Sequence, residues 1–290
     1  MIKNHNRKVE DLFRRRKRAG EVGIEIELEG KGFPRRMEDY WEYHTEGSLR
    51  AAHGDQAEYA LKEPIPRDRV RAALLLLNKT LKAEGATVVE SQRTAVHVHL
   101  NMQGLPMKKV YAVIILYLIF EDLFAEYTDA SRKGNVFCLR MKDAEKFVDM
   151  LSKAAKDDEY TAFGDTGRYR YSAVNVCSLR KFNSLEFRAL HGTTDVGTIT
   201  KWTELLLALK DADYDNPQEI FRDFSALGPT RFTRKIFGEK VEYFGVKIAD
   251  FSEQLWENLW LVQEIGYATD WQGEAPQDRT FRVDTLDRNE

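Results

Sequence analysis

The chain reads as an α+β protein built on an antiparallel or mixed sheet, and three features of the sequence predict it. Strict apolar–polar alternation runs through residues 23–30, 95–101 and 184–190. Long segments with apolar residues at helical spacing lie between and after these runs. The two kinds of segment are interleaved without the regular βαβ order that builds a parallel sheet.

Taken in order, the first fourteen or so residues are polar and lead into a basic run, Arg14 to Arg18. Alternation then places Ile24, Ile26 and Leu28 on one side of a strand and Glu25, Glu27 and Glu29 on the other. Two shorter strands are predicted over 40–45 and 57–62, joined by a polar turn that contains Gly47 and Gly54. Val70, Ala73, Leu74, Leu77 and Leu81 make one stripe of a helix over 66–84. A strand or hairpin covers 86–101 and a long apolar helix 106–127. The stretch 128–167 is polar and Gly-containing, with a short helix at 143–155, and is a candidate lid over a site. Two strands follow, at 169–179 and 184–190. Asp195 stands where it can cap a helix through Val196, Ile199, Trp202, Leu206 and Leu209. The spacing then predicts a helical segment at 216–226, a hairpin at 231–247, and a helix at 249–266 using Phe251, Leu255, Leu259 and Val262. From Trp271 on, the polar tail reads as loose.

At 290 residues, with 43% hydrophobic and 31% charged, the chain has ordinary globular composition and the length for one large domain. Lys+Arg 44 against Asp+Glu 47 leaves a net charge of −3, so no overall field recruits nucleic acid or an anionic membrane. The basic run at 14–18 is a nucleic-acid motif in form, but a solvated helix end is the simpler reading. Trp256, Trp260 and Tyr267 stand at helical spacing and read as core aromatics. Cys138 and Cys177 form no CxxC pair, support neither a disulfide framework nor a thiolate metal site, and suit a reducing cytoplasm. The greasiest run, Val110 to Phe120, is 11 residues long, against about 20 needed to span a bilayer. Charged residues bracket it, and the polar N-terminus lacks a signal-peptide core. A soluble, cytoplasmic protein is expected.

Three of the strands carry chemistry on their polar sides. Glu25, Glu27 and Glu29 share one face of the first. His97, His99 and Asn101 share one face of the second, and Glu186 and Arg188 one face of the third. On a common sheet they would crowd carboxylates together, which survives cheaply only if a cation neutralises them. Carboxylate oxygens with an occasional imidazole suit Mg²⁺ or Mn²⁺ better than zinc or copper, and such an ion keeps part of its shell for phosphate. Arg188 offers a positive fork for a phosphate oxygen. The chemistry suggested is phosphoryl transfer. Each motif alone is weak, since an E-x-E strand is more often a solvated face and an E-x-R pair an ordinary ion pair. The conjunction carries the weight.

These motifs, in order from Gly23 to Leu209, resemble the glutamine synthetase and glutamate–cysteine ligase group, and within it the amidoligases of phages and bacteria. Gly23-Ile-Glu-Ile-Glu27 is similar to the family's opening metal-binding strand. Thr45-Glu-Gly-Ser-Leu49 is similar to its acidic-x-Ser-Leu turn, with Glu46 where Asp is usual. The strand at 57–59, followed by Glu63-Pro-Ile65, brings a further glutamate, Glu58. Val96-His-Val-His-Leu100 matches the H-x-H strand. Arg168-Tyr-Arg-Tyr-Ser-Ala-Val-Asn175 with Leu185-Glu-Phe-Arg188 matches the R-x-x-x-L-N and E-F-R pair, although Asn183-Ser184 replace the usual Gly-Thr before it.

The resemblance implies a curved, mostly antiparallel sheet, a half-barrel like the glutamine synthetase catalytic domain, with helices on its outer face. With the organisation read along the chain, this gives a basic N-terminal segment (1–22), an amidoligase catalytic domain (23–214), a helical extension packed on it (215–270), which the resemblance does not cover, and a loose tail (271–290). The resemblance further implies an ATP- and Mg²⁺- or Mn²⁺-dependent carboxylate–amine ligase working through an acyl phosphate. Glu25, Glu27, Glu58, His97 and Glu186 would bind metal. Arg170 and Arg188 would contact phosphate, with Arg168, His99 and Asn175 toward nucleotide. The partners would be small-molecule or peptide carboxylates and amines, without nucleic acid or membrane, in the cytoplasm (the host's, if phage-encoded). Two other readings stay open. A metal-dependent hydrolase or phosphoesterase would use the same face without ATP, and a non-catalytic protein would bind nucleic acid or a partner through its basic N-terminus.

Overall fold

Alternating segments bury one side only when they pair, and here they pair into one sheet. The computed structural model describes residues 3–15, 18–37, 39–45, 54–89, 91–128, 132, 134–136, 138–144, 146–164 and 169–271. The central strand is β1 (Val22–Lys31). On one side it pairs with β3 (Asp55–Leu61), beyond which lies β2 (Trp41–His44). On the other side the end of β1 pairs with the short β4 (Thr87–Val89) and its first half with β5 (Ala95–Asn101). Beyond β5 come β6 (Val174–Asn175) and β7 (Ser184–His191), giving the order β2-β3-β1-β5-β7-β6, with β4 off this path. All these pairings are antiparallel, so the sheet is open and the architecture mixed α and β.

The apolar sides of the strands meet helices. Ile24, Ile26, Leu28, Val96, Val98, Leu100, Leu185 and Phe187 are buried in one core with residues of α2 (Val70–Ala83), α3 (Met107–Ile119) and α7 (Val196–Asp211). Tyr117 of α3 packs on Phe187 of β7 with ring centroids 5.1 Å apart. Each such large side chain contributes about 1.5–3 kcal/mol by leaving water, which is what holds the polar side of the sheet facing the other way. Trp41 ties β2 to α2 by donating from its indole nitrogen to the carbonyl of Ala73 at 2.8 Å. The predicted cap of α7 is present, with Asp195 accepting from the backbone nitrogen of Thr198 at 2.6 Å.

Several predicted elements are corrected. The helix expected over 106–127 breaks at Phe120 (φ −91°, ψ 9°) into α3 and α4 (Glu121–Tyr127). No Pro or Gly announces the break. It lets Phe120 pack between Phe232 and Phe237, and lets both carboxylate oxygens of Glu121 reach the backbone nitrogen of Met141. The helix expected at 143–155 is α5 (Phe147–Asp157). The strand expected over 169–179 is only the two residues of β6, after which the chain turns into α6 (Cys177–Phe182). The segment expected at 216–226 is the first part of α8 (Pro217–Phe237), which Gly228, non-helical at φ 72° before Pro229, divides into two helical stretches. That helix and a following 3₁₀ segment, Gly238–Phe244, replace the hairpin expected at 231–247. The last predicted helix is a 3₁₀ turn followed by α9 (Ser252–Leu261) and α10 (Gln263–Ala268).

The expected lid is anchored rather than free over its described residues: Phe147, Leu151 and Phe163 are fully buried. The N-terminal segment is also docked. Its helix α1 (Val9–Phe13) buries Val9, and His5 stacks on Trp271 at 4.5 Å. Trp271, expected to open a loose tail, donates to the carbonyl of Ala155 at 3.1 Å; residues 272–290, Glu46 and Gly47 lie outside the described residues. Trp260 and Tyr267, expected in the core, are each 50% exposed, whereas Trp256 packs against the core through Phe224. Among the described residues no helix is long and apolar enough to cross a membrane.

Candidate active site

Cross-strand pairing decides which polar side chains meet. Glu27 of β1 stands opposite Glu58 of β3, Glu25 of β1 opposite His97 of β5, and His99 of β5 opposite Glu186 of β7, which in turn faces Asn175 of β6. All seven line a single cavity of about 390 Å³ on the side of the sheet away from the helical core. Arg188 and Arg170 line it too, while Arg168 lies outside the described residues.

Within the cavity one group is tight. One ligand atom each from Glu25, His99 and Glu186 lies within 4.8 Å of the others. His97 sits beside this group, its Nδ1 3.3 Å from Glu25 Oε2 and 3.7 Å from Glu186 Oε1, and its Nε2 3.9 Å from Glu27 Oε1. The geometry therefore draws in His99, which the resemblance placed toward nucleotide. Glu27 and Glu58 line the same cavity as a facing pair farther along the sheet.

Glu186 is held by three side chains. It accepts from Asn175 Nδ2 at 2.7 Å and Ser178 Oγ at 2.8 Å, and pairs through Oε1 with the Arg188 guanidinium. Burial works to raise its pKa, but Arg188, His99 and His97 outweigh it and hold the carboxyl down at about 2. At Glu25, burial is likewise overcome by the charge of His99 and the hydrogen bond of His97, so it lies well below the ordinary carboxylate range. Burial would lower the pKa of His99, yet Glu25 and Glu186 raise it. Burial similarly opposes, and Glu186 favours, the charge on Arg188, whose pKa is raised. Glu25 and Glu186 thus stay ionised and Arg188 charged.

A divalent ion fits this arrangement. His99 Nδ1 lies 3.1 Å from Ser184 Oγ, which fixes the ring and leaves Nε2 facing the acids. That Nε2 is buried and 3.4 Å from Glu25 Oε1, but without the geometry of a hydrogen bond. An orphaned imidazole nitrogen between two ionised carboxylates is what a cation would complete.

Sequence reasoning missed several residues here. Ser184 carried a signal, because alternation puts it on the same side as Glu186 and Arg188. Ser178, Lys181 and Phe182 carried none while 169–179 read as a strand; they reach the cavity because α6 turns them there. Arg93 enters from the turn before β5. Arg132, from the supposed lid, is only 4% exposed and donates to four backbone carbonyls, those of Gln92, Thr94, Arg188 and Ala189, at 3.1–3.2 Å. It thus clamps the start of β5 to the end of β7, and the backbones of Arg188 and of the Arg93 turn with them. No residue of 128–167 lines the cavity among the described residues.

The model of a family described as "putative amidoligase enzyme" matches residues 52–210, more than half of the chain. The match spans Glu58, His97, His99, Asn175, Glu186 and Arg188; Glu25 and Glu27 lie before it. No curated protein matches the chain.

Proposed function

The chain belongs to this amidoligase family, and from that premise we propose that it is an ATP- and Mg²⁺-dependent carboxylate–amine ligase that works through an acyl phosphate. The observation that carries the reading is the convergence of Glu25, His99 and Glu186 in a cavity that also holds Arg188 and Arg170. Placement in the glutamine synthetase-like superfamily, with the sheet as its half-barrel, is part of the same proposal. It is supported by the antiparallel order and by the motifs of β1, β5 and β7.

A carboxylate is a poor electrophile, and an amine does not displace oxide from it. In the proposed reaction a carboxylate oxygen attacks the γ-phosphorus of ATP and ADP leaves. The amine nitrogen then attacks the acyl carbon, inorganic phosphate leaves with the electron pair, and the nitrogen loses a proton. Glu25, His99 and Glu186 would hold one divalent ion, with His97, Glu27 and Glu58 available to another. Bound ions of this kind neutralise phosphate charge during transfer. Arg188 and Arg170 would meet phosphate oxygens, and Asn175 and Ser178 keep Glu186 oriented. The substrates would be a small-molecule or peptide carboxylate and an amine.

The test is incubation with ATP, Mg²⁺, a panel of carboxylates and hydroxylamine, which traps the acyl phosphate whatever the natural amine. Expected are ADP and hydroxamate in equal amounts, both lost in Glu186→Gln. Release of phosphate from simple phosphoesters without ATP, in the absence of hydroxamate, would replace the ligase with a hydrolase.

A further inference from the structure

Helix α6 has two polar sides. Ser178, Lys181 and Phe182 face the metal-face cavity, while Arg180 lines a second hollow of about 420 Å³ formed against the N-terminal segment. Arg7 and Arg14 line that hollow with Arg180, and so do Glu159, Tyr160 and Thr161. Arg15 and Arg18 of the basic run are likewise engaged with this helix. Arg15 donates to the carbonyl of Arg180 at 2.8 Å, and Arg18 lies over the ring of Phe182 at 5.9 Å.

The hollow's charges do not balance. Arg7 donates to Asn4 Oδ1 at 3.2 Å and the carbonyl of Asp11 at 2.9 Å, and Arg180 to the carbonyl of Thr161 at 3.4 Å. These acceptors are neutral, and among the described residues no carboxylate forms an ion pair with Arg7, Arg14 or Arg180. The one acid in the lining, Glu159, accepts from the backbone nitrogen of Thr161 at 3.0 Å. Among the lining residues three guanidiniums stand against one carboxylate, an excess of two positive charges in a concavity of ligand size, while Asp158 lies behind the lining, held by the backbone nitrogens of Asn4 and His5. A phosphate group carries about −1.5 to −2 near neutral pH, and its oxygens match the planar guanidinium fork.

We infer that the hollow lined by Arg7, Arg14 and Arg180 is a second anion site, separate from the metal-face cavity, that takes a phosphate group. The group could belong to a free phosphate compound or to a nucleotide, and the chemistry recognised is the same. This inference does not depend on the ligase reading.

The test is calorimetric titration of the metal-free protein with inorganic pyrophosphate and, separately, with ADP. One equivalent of pyrophosphate should bind. Arg14→Gly and Arg180→Gln should each weaken it at least tenfold, while Arg170→Ala, which removes an exposed cation of the other cavity, should leave it unchanged. Arg14→Gly is the fold-safe variant, since Arg14 holds φ 52°, a conformation that glycine adopts freely. ADP binding with the same arginine dependence makes nucleotides the ligand class; pyrophosphate binding alone makes it free phosphate compounds. The inference is overturned if pyrophosphate does not bind. It is also overturned if binding survives Arg14→Gly and Arg180→Gln but is lost in Arg170→Ala. A single-stranded oligonucleotide that binds where pyrophosphate fails would reassign the patch to nucleic acid.

Discussion

Glu121 is a carboxyl in a fully buried position that forms no ion pair among the described residues, and replacing it should change how stability depends on pH. Both its oxygens lie near the backbone nitrogen of Met141, at 3.0 and 2.9 Å. Burial, only partly offset by that hydrogen bond and by Arg140, pushes its pKa from the ordinary 4.5 up to about 8. The folded protein then keeps a proton that the unfolded chain releases, so stability falls as pH rises from about 4.5 to about 8. At about 1.4 kcal/mol per pH unit, the full penalty is roughly 5 kcal/mol, of which roughly 3 is present at pH 7. Glu121→Gln keeps an acceptor for Met141 and removes the titration. The gap in unfolding free energy between variant and parent, measured by urea denaturation, should widen by about 3 kcal/mol between pH 4.5 and 7 and level off above about pH 8. Reading the change in the gap cancels any fixed cost of burying the amide. A gap that stays flat across this window would refute the reasoning. The same residue bears on the site indirectly: Met141 is two residues from Leu139, whose bridge to Ser172 carries the segment with Arg170 and Asn175.

Two further substitutions test what positions the site. Arg132→Met takes a donor from four carbonyls, of which those of Gln92 and Thr94 keep a second donor in Asn135 and Gly192, and should cost about 2–3 kcal/mol, with Arg132→Lys recovering part of it; a Met variant within about 0.5 kcal/mol of the parent in urea denaturation would show that the clamp is dispensable. Asp195→Ala removes the cap of α7 and should cost about 1 kcal/mol, a fall in Tm of roughly 2–4 °C for a chain of this size, and an unchanged Tm would place the start of that helix under other control.

Alternation told which side of β1, β5 and β7 each polar residue takes, and nothing about who stands opposite whom. Glu25 meets His97, and His99 meets Glu186, because of strand order and register, which depend on contacts far apart in sequence. Helix α7 was legible to its cap because both the stripe and Asp195 are local. The break at Phe120 was not, since it answers to Phe232 and Phe237, more than a hundred residues away. The helical segment at 216–226 was legible up to the break at Gly228, but the second helical stretch beyond it, where a hairpin was expected, was not.

The segment between β6 and β7 shows the same limit with the most consequence for chemistry. A straight strand through 169–179 would have sent Ser178 to the face opposite Asn175. Instead, α6 closes with Asn183 in the left-handed region at φ 59°, a helix-ending conformation that asparagine and glycine adopt readily. That reversal is compact enough for Asn175 and Ser178 to reach the same oxygen of Glu186. With its other oxygen on Arg188, the carboxylate is locked in one orientation, and its neighbours His99 and Glu25 inherit a fixed partner. What position 183 requires is thus a backbone conformation rather than a particular side chain, and the asparagine there keeps Asn175 and Ser178 within reach of Glu186.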